Sequence, residues 1–94
     1  MAKLYISETA LADLKEIQRY IARDKPVAAR NWIARIRRKC RLLAKNPELG
    51  DLRDDLGRGV RCSYLRGYCI FFGREGNMVK ILRVVRGDRD ITFL

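Results

Sequence analysis

At 94 residues the chain can fold as one unit with a modest core, and it is too short to enclose an active site between two domains. Apolar residues at 48% exclude a disordered tail, and a formal charge of +10 favours polyanionic partners, either nucleic acid or an acidic protein segment. No run of eighteen apolar residues and no leader pattern occurs, so a cytoplasmic, single-domain protein spanning 1–94 is expected.

The first element in chain order is a short strand over Lys3 to Ile6, where Leu4 and Ile6 alternate with Lys3 and Tyr5. Ser7 is placed to cap a helix, and Glu8 complements its dipole. Ala10, Leu14, Ile17 and Ile21 then fall at helical spacing, with Asp13, Glu16, Arg19 and Arg23 read as the wet side. Pro26 ends this helix near Asp24-Lys25 and opens a second one running to about Lys45. Trp32, Ile36, Cys40 and Leu43 mark its buried stripe; Arg30, Arg37, Arg38, Arg41 and Lys45 mark its wet surface. Residues 25–45 hold eight basic side chains and no acidic one, whereas 1–24 hold four of each.

Asn46 to Gly50 stops the second helix, and 51–58 reads as a polar connection tethered by Leu52 and Leu56. Asp54 and Asp55 within it are most simply local charge balance for neighbouring arginines. From Gly59 to Asp90 three strands follow, joined by turns at Arg66-Gly67 and at Arg74 to Asn77. With a two-residue loop at Arg66-Gly67, Val60, Cys62, Tyr64, Cys69 and Phe71 share one face. Arg61, Ser63, Leu65, Tyr68, Ile70 and Phe72 share the other. Neither face is polar, so both are expected to be at least partly covered, one of them by the helices. The fold class is therefore α+β, in the order β-α-α-β-β-β, a helical hairpin packed on a mainly antiparallel sheet.

Catalytic patterns are scarce. The chain has no His, no G-x-S-x-G and no phosphate-binding loop, and the odd trio Cys40, Cys62 and Cys69 reads as buried apolar residues rather than metal ligands or a disulfide. No cofactor or metal is expected. What remains is a set of arginines on or near the sheet, Arg61, Arg83, Arg86 and Arg89, which can clamp phosphates but cannot abstract a proton. They come from neighbouring strands or the tail and are expected to converge on one edge.

The order of several phrases resembles the RelE/ParE superfamily of bacterial toxins, and its ParE branch in particular. These are A-x-x-D-L-x-x-I-x-x-Y-I from Ala10, Ala28-Ala29 with Trp32, and I-x-x-x-C-x-x-L-A-x-x-P-x-x-G from Ile36. D-D-L-G-x-G-x-R from Asp54, G-Y-x-I-F-F from Gly67 and I-L-R-V-V-R-G-D-R-D from Ile81 complete the set. The resemblance implies a toxin that is not an enzyme, that traps the DNA gyrase–DNA cleavage complex, and that a ParD-type antitoxin neutralises with an acidic C-terminal segment. Arg61, Arg83, Arg86 and Arg89 are the candidate gyrase or nucleic-acid surface, the alternative being that Arg86 and Arg89 pair with Asp88 and Asp90. Candidate antitoxin contacts are Leu11, Leu14, Ile17 and Ile33 at the hairpin margin, positions that helical spacing also allows in the core. The RelE branch implies ribosome-dependent mRNA cleavage instead, often with a terminal Tyr or His that this chain lacks. A basic DNA-binding module unrelated to toxicity is a third class, without a helix-turn-helix signature here.

Overall fold

Ser7 fixes the first junction of the chain. Its hydroxyl accepts the Ala10 amide at 3.0 Å and donates to the Leu82 carbonyl at 3.1 Å, so one side chain caps a helix and ties it to a distant strand. The computed structural model describes residues 3–87. Their order is β1 (Lys3–Ile6), α1 (Glu8–Ala22), α2 (Pro26–Lys45), a 3-10 turn (Pro47–Leu49), β2 (Asp51–Leu52), β3 (Arg61–Leu65), β4 (Tyr68–Glu75) and β5 (Met78–Arg86).

The expected α+β plan is the one observed, a helical hairpin on a five-stranded sheet in the order β1-β5-β4-β3-β2. Every pairing is antiparallel except β1 with β5. One strand goes beyond the sequence reading: Asp51 and Leu52 lie in the segment read as a connection, yet they pair with β3. Leu52 stays exposed there and is no tether, while Leu56 packs against the sheet as expected. The Arg66-Gly67 turn closes Leu65 onto Tyr68, with φ of 46° and 88° at its two central residues. Two successive positive φ values match the right-handed twist of the hairpin, and a β-branched residue in either place would be strained.

Both faces of the sheet are apolar, and each carries its own cluster. Ile70, Phe72, Val79, Ile81 and Val84 meet Leu14 of α1 and Ile33, Ile36, Cys40 and Leu43 of α2. Val60, Cys62, Cys69, Phe71 and Val85 form the opposite cluster, with Leu56 and Leu82 against it. A register shift opposite Phe71 and Phe72 reconciles β5 with this division. Strict alternation from Val79 and Ile81 would send Arg83 into the helix-covered core and Val84 out of it. The extra residue resets the phase, so Val84 joins that core and Val85 the other cluster.

All three cysteines are free and buried, and burial pushes the Cys40 thiol up to about 11. At Gly50 the core meets the backbone of the connecting segment: a Cβ there would collide with the Phe72 ring. Among the described residues no helix is long and apolar enough to cross a membrane, and no group of three potential ligands could hold a metal.

Candidate target surface

The strands β1 and β5 pair only from Met78 to Ile81, so the edge of β5 continues past the last residue of β1. Helix α1 takes over that edge. The Ser7 amide donates to the Ile81 carbonyl at 3.0 Å, and six residues further along, Asp13 accepts the Val84 amide at 2.9 Å. The same carboxylate takes a fork from Arg83, Nε to Oδ2 at 2.8 Å and Nη2 to Oδ1 at 3.0 Å. Asp13 is 9% exposed, so a buried charge is satisfied by three donors. In turn the bond to Asp13 raises the proton affinity of the Arg83 guanidinium.

This overturns two readings of the sequence. Asp13 belongs to the buried side of α1, not to its wet side. Arg83 is spoken for by the scaffold, so it does not project as part of a convergent arginine surface. Arg61 is also used locally, donating Nη1 to the Gly50 carbonyl at 2.8 Å. It lies opposite Phe72, whereas Arg86 lies opposite Tyr68. Four residues along a strand is about 13 Å, with β4 between them, so the two do not meet. Arg89 lies outside the described residues. Of the three candidates among the described residues, Arg86 lines a recess and Arg61 and Arg83 do not line it.

That recess begins as a groove of about 180 Å³ between α1 and the ends of β4 and β5, walled by Asp13, Glu16, Ile17, Tyr68 and Arg86. It widens into an open trough of about 740 Å³ where Tyr20, Tyr64, Arg66 and Gly67 join Tyr68 and Arg86. The Gly87 amide closes the end of the trough by donating to the Gly67 carbonyl at 2.7 Å. Tyr68 is supported from α2 by Trp32, with ring centroids 5.7 Å apart, and Arg35 stacks over that Trp at 5.6 Å. Tyr20 stands out from α1, 66% exposed. A hydrogen bond with the Cys69 thiol raises the Tyr64 pKa.

The trough is thus equipped for recognition: guanidinium forks for anionic groups and aromatic rings for stacking. Three phenols and Arg66 were not singled out as site residues by sequence. The two-residue turn at Arg66-Gly67 sets only Tyr68 opposite Leu65; Tyr68 comes beside Arg86 through the β4–β5 pairing and its register shift, which no local pattern shows. The four hairpin candidates divide as well. Leu14 and Ile33 are core residues and are withdrawn as contacts; Ile17 is half-buried in the groove wall, and Leu11 remains at the surface.

The family described as the ParE toxin of the type II toxin–antitoxin system parDE matches residues 4–91. The chain belongs to the ParE toxin family. Among solved structures, a chain from the chromosomal ParDE toxin–antitoxin system of P. aeruginosa superposes with a TM-score of 0.79 at 26% identity, covering 92% of this chain and 96% of that one. A chain of the toxin–antitoxin complex RelBE2 from Mycobacterium tuberculosis shares the fold, with a TM-score of 0.67 at 21% identity over 90% of this chain and 96% of the other. No curated protein sequence matches significantly. Within this ParE-family chain the phrase Ala10 to Ile21, which carried much of the resemblance, is the helix that holds Asp13 against Arg83.

Proposed function

We propose that this toxin inhibits DNA gyrase by trapping the gyrase–DNA cleavage complex, without catalysis of its own. We further propose that in the cytoplasm a ParD-type antitoxin with an acidic C-terminal segment holds it in check. The observation that carries this reading is the family match across 4–91. The trough agrees with it: it is open, fit for a macromolecular surface, and its guanidinium and aromatic groups suit anion binding and stacking. For the antitoxin, Leu11 and the margin of Ile17 are the hairpin contacts that burial leaves available.

Purified chain added to gyrase and supercoiled plasmid should accumulate cleaved DNA, revealed by detergent and protease. Arg66→Ala with Tyr20→Ala should lower that yield by on the order of tenfold, the loss of one charge-assisted contact and one aromatic anchor. Ribosome-dependent mRNA cleavage with no effect on gyrase would overturn the reading in favour of the RelE-type activity. Titration calorimetry with an antitoxin encoded beside this gene should show a strongly negative heat-capacity change and an association rate that falls as salt rises.

A further inference from the structure

We infer that the outward face of α2 binds the phosphate backbone of duplex DNA; this deepens the gyrase reading and rests on it. The helix has 20 residues and contains no acidic side chain. Ala29, Ile33, Ile36, Cys40, Leu43 and Ala44 are its buried residues. At 3.6 residues per turn, Arg30, Arg37, Arg38, Arg41 and Lys45 fall within an arc of about 100° on the other side. All five are exposed. From Arg30 to Lys45 the stripe runs about 22 Å, roughly six base-pair rises of duplex.

Among the described residues no salt bridge neutralises this stripe. Among the described residues the salt bridges are Arg53 with Asp55 and Arg83 with Asp13, and neither involves α2. Arg37 and Arg41, like Arg41 and Lys45, stand four apart, so their repulsion disfavours the helix that carries them. A face that opposes its own helix and gains no ion pair among the described residues is suited to an external anion.

The composition of the stripe distinguishes a nucleic acid from an acidic protein segment. A folding peptide draws its affinity from apolar anchors, and the centre of this face offers only the methyl group of Ala34. The large apolar residues that α2 exposes, Val27 and Leu42, lie in its first turn and on its flank. A phosphate backbone needs none of these anchors. It needs several cations at close spacing, with arginine forks the best suited to phosphate oxygens, and a small residue such as Ala34 lets the helix approach.

Fluorescence anisotropy of the full chain with a random-sequence duplex of about two dozen base pairs tests the inference. With about five phosphates neutralised, log affinity should fall with log salt at a slope of about −4, a loss on the order of 10²-fold between 50 and 200 mM salt. The triple variant R37E/R38E/R41E should cut the slope by about 3 and weaken binding more than tenfold. The charge-matched triple K15E/R19E/R23E on α1 should weaken it far less. Circular dichroism shows whether each variant folds, and if the α2 triple does not, the wild-type slope and Arg41→Gln decide. Equal losses in the two triples, a slope near zero, or competition by polyglutamate as strong per charge as by DNA would overturn the inference. Gyrase poisoning separates the two levels. Duplex binding through α2 without poisoning sinks the gyrase reading and keeps this surface. Poisoning unaffected by the α2 triple sinks the role of this surface and keeps the gyrase reading.

Discussion

Among the described residues, two arginine–aspartate pairs of nearly identical geometry do different things. Arg83 and Asp13 meet at 2.8 Å across 70 residues of sequence, with side chains 22% and 11% exposed. Arg53 and Asp55 also meet at 2.8 Å, but two residues apart in a surface loop, 28% and 62% exposed. Contact length therefore says nothing about what a pair is for. The first pair holds α1 onto the bare edge of β5 and brings in the Val84 amide as a third donor. The second reorganises nothing distant, and solvent screens it. Next to it, Asp54 accepts the Gly59 amide at 2.8 Å, a turn contact that again serves only the loop.

The comparison breaks most visibly at Asp13. Asp13→Ala leaves the Arg83 guanidinium and the Val84 amide without their acceptor, and should cost about 2–4 kcal/mol, somewhat below a fully buried pair because Arg83 is partly wet. Urea denaturation measures this; a loss below about 1 kcal/mol would mean that the pair is not part of the scaffold. The Cys40 thiol gives an independent readout. Burial raises it to about 11 and shields it, so labelling at pH 8 proceeds only through opening of the fold. In the Asp13→Ala protein the Cys40 peptide should label about 30- to 900-fold faster, the destabilisation converted at 1.36 kcal/mol per decade.

The loop region should respond to packing rather than to charge. Gly50→Ala forces a Cβ into the Phe72 ring, and overpacking of that kind costs about 1–3 kcal/mol, again read by denaturant midpoint. The smallest effect is expected at the loop pair itself. Asp55→Asn and Arg53→Gln should leave the melting midpoint unresolved from wild type. The sign of any residue of effect is fixed: Arg53 holds the Asp55 pKa down, so its contribution exists above the ordinary carboxylate range and disappears as pH falls through the folded value. High salt should erase even that. A clear loss in Asp55→Asn would abolish the distinction between the two pairs.

Much of this architecture was legible because local chemistry and periodicity agreed. Ser7 caps α1, Pro26 opens α2, and the stripe of Ile36, Cys40 and Leu43 is buried as its spacing required. The division of β3 and β4 into two faces followed from a two-residue turn, since side chains alternate on a strand. Leu14 and Ile33 show the limit of such reasoning. Helical spacing placed them on an apolar stripe, but only packing decides which part of a stripe faces the sheet and which part a partner could reach.

Asp13 carries the same lesson for a charged residue. It stands three after Ala10 and four before Ile17, so periodicity alone would have set it among the buried positions. Residue type argued against this, because a buried carboxylate is costly unless donors surround it. Those donors, Arg83 and the Val84 amide, come from the other end of the chain, at a sheet edge that exists only because β1 stops at Ile6. The sequence by itself determined the helical hairpin, the strands on either side of Arg66-Gly67 and the single-sign face of α2, since each depends on residues a few positions apart. Tertiary structure alone decided the bulge that sends Val84 inward, the capture of Arg83 by Asp13, and the gathering of Tyr20, Tyr64, Tyr68, Arg66 and Arg86 around one trough. Each of these rests on contacts between distant segments, whose energies no local pattern records.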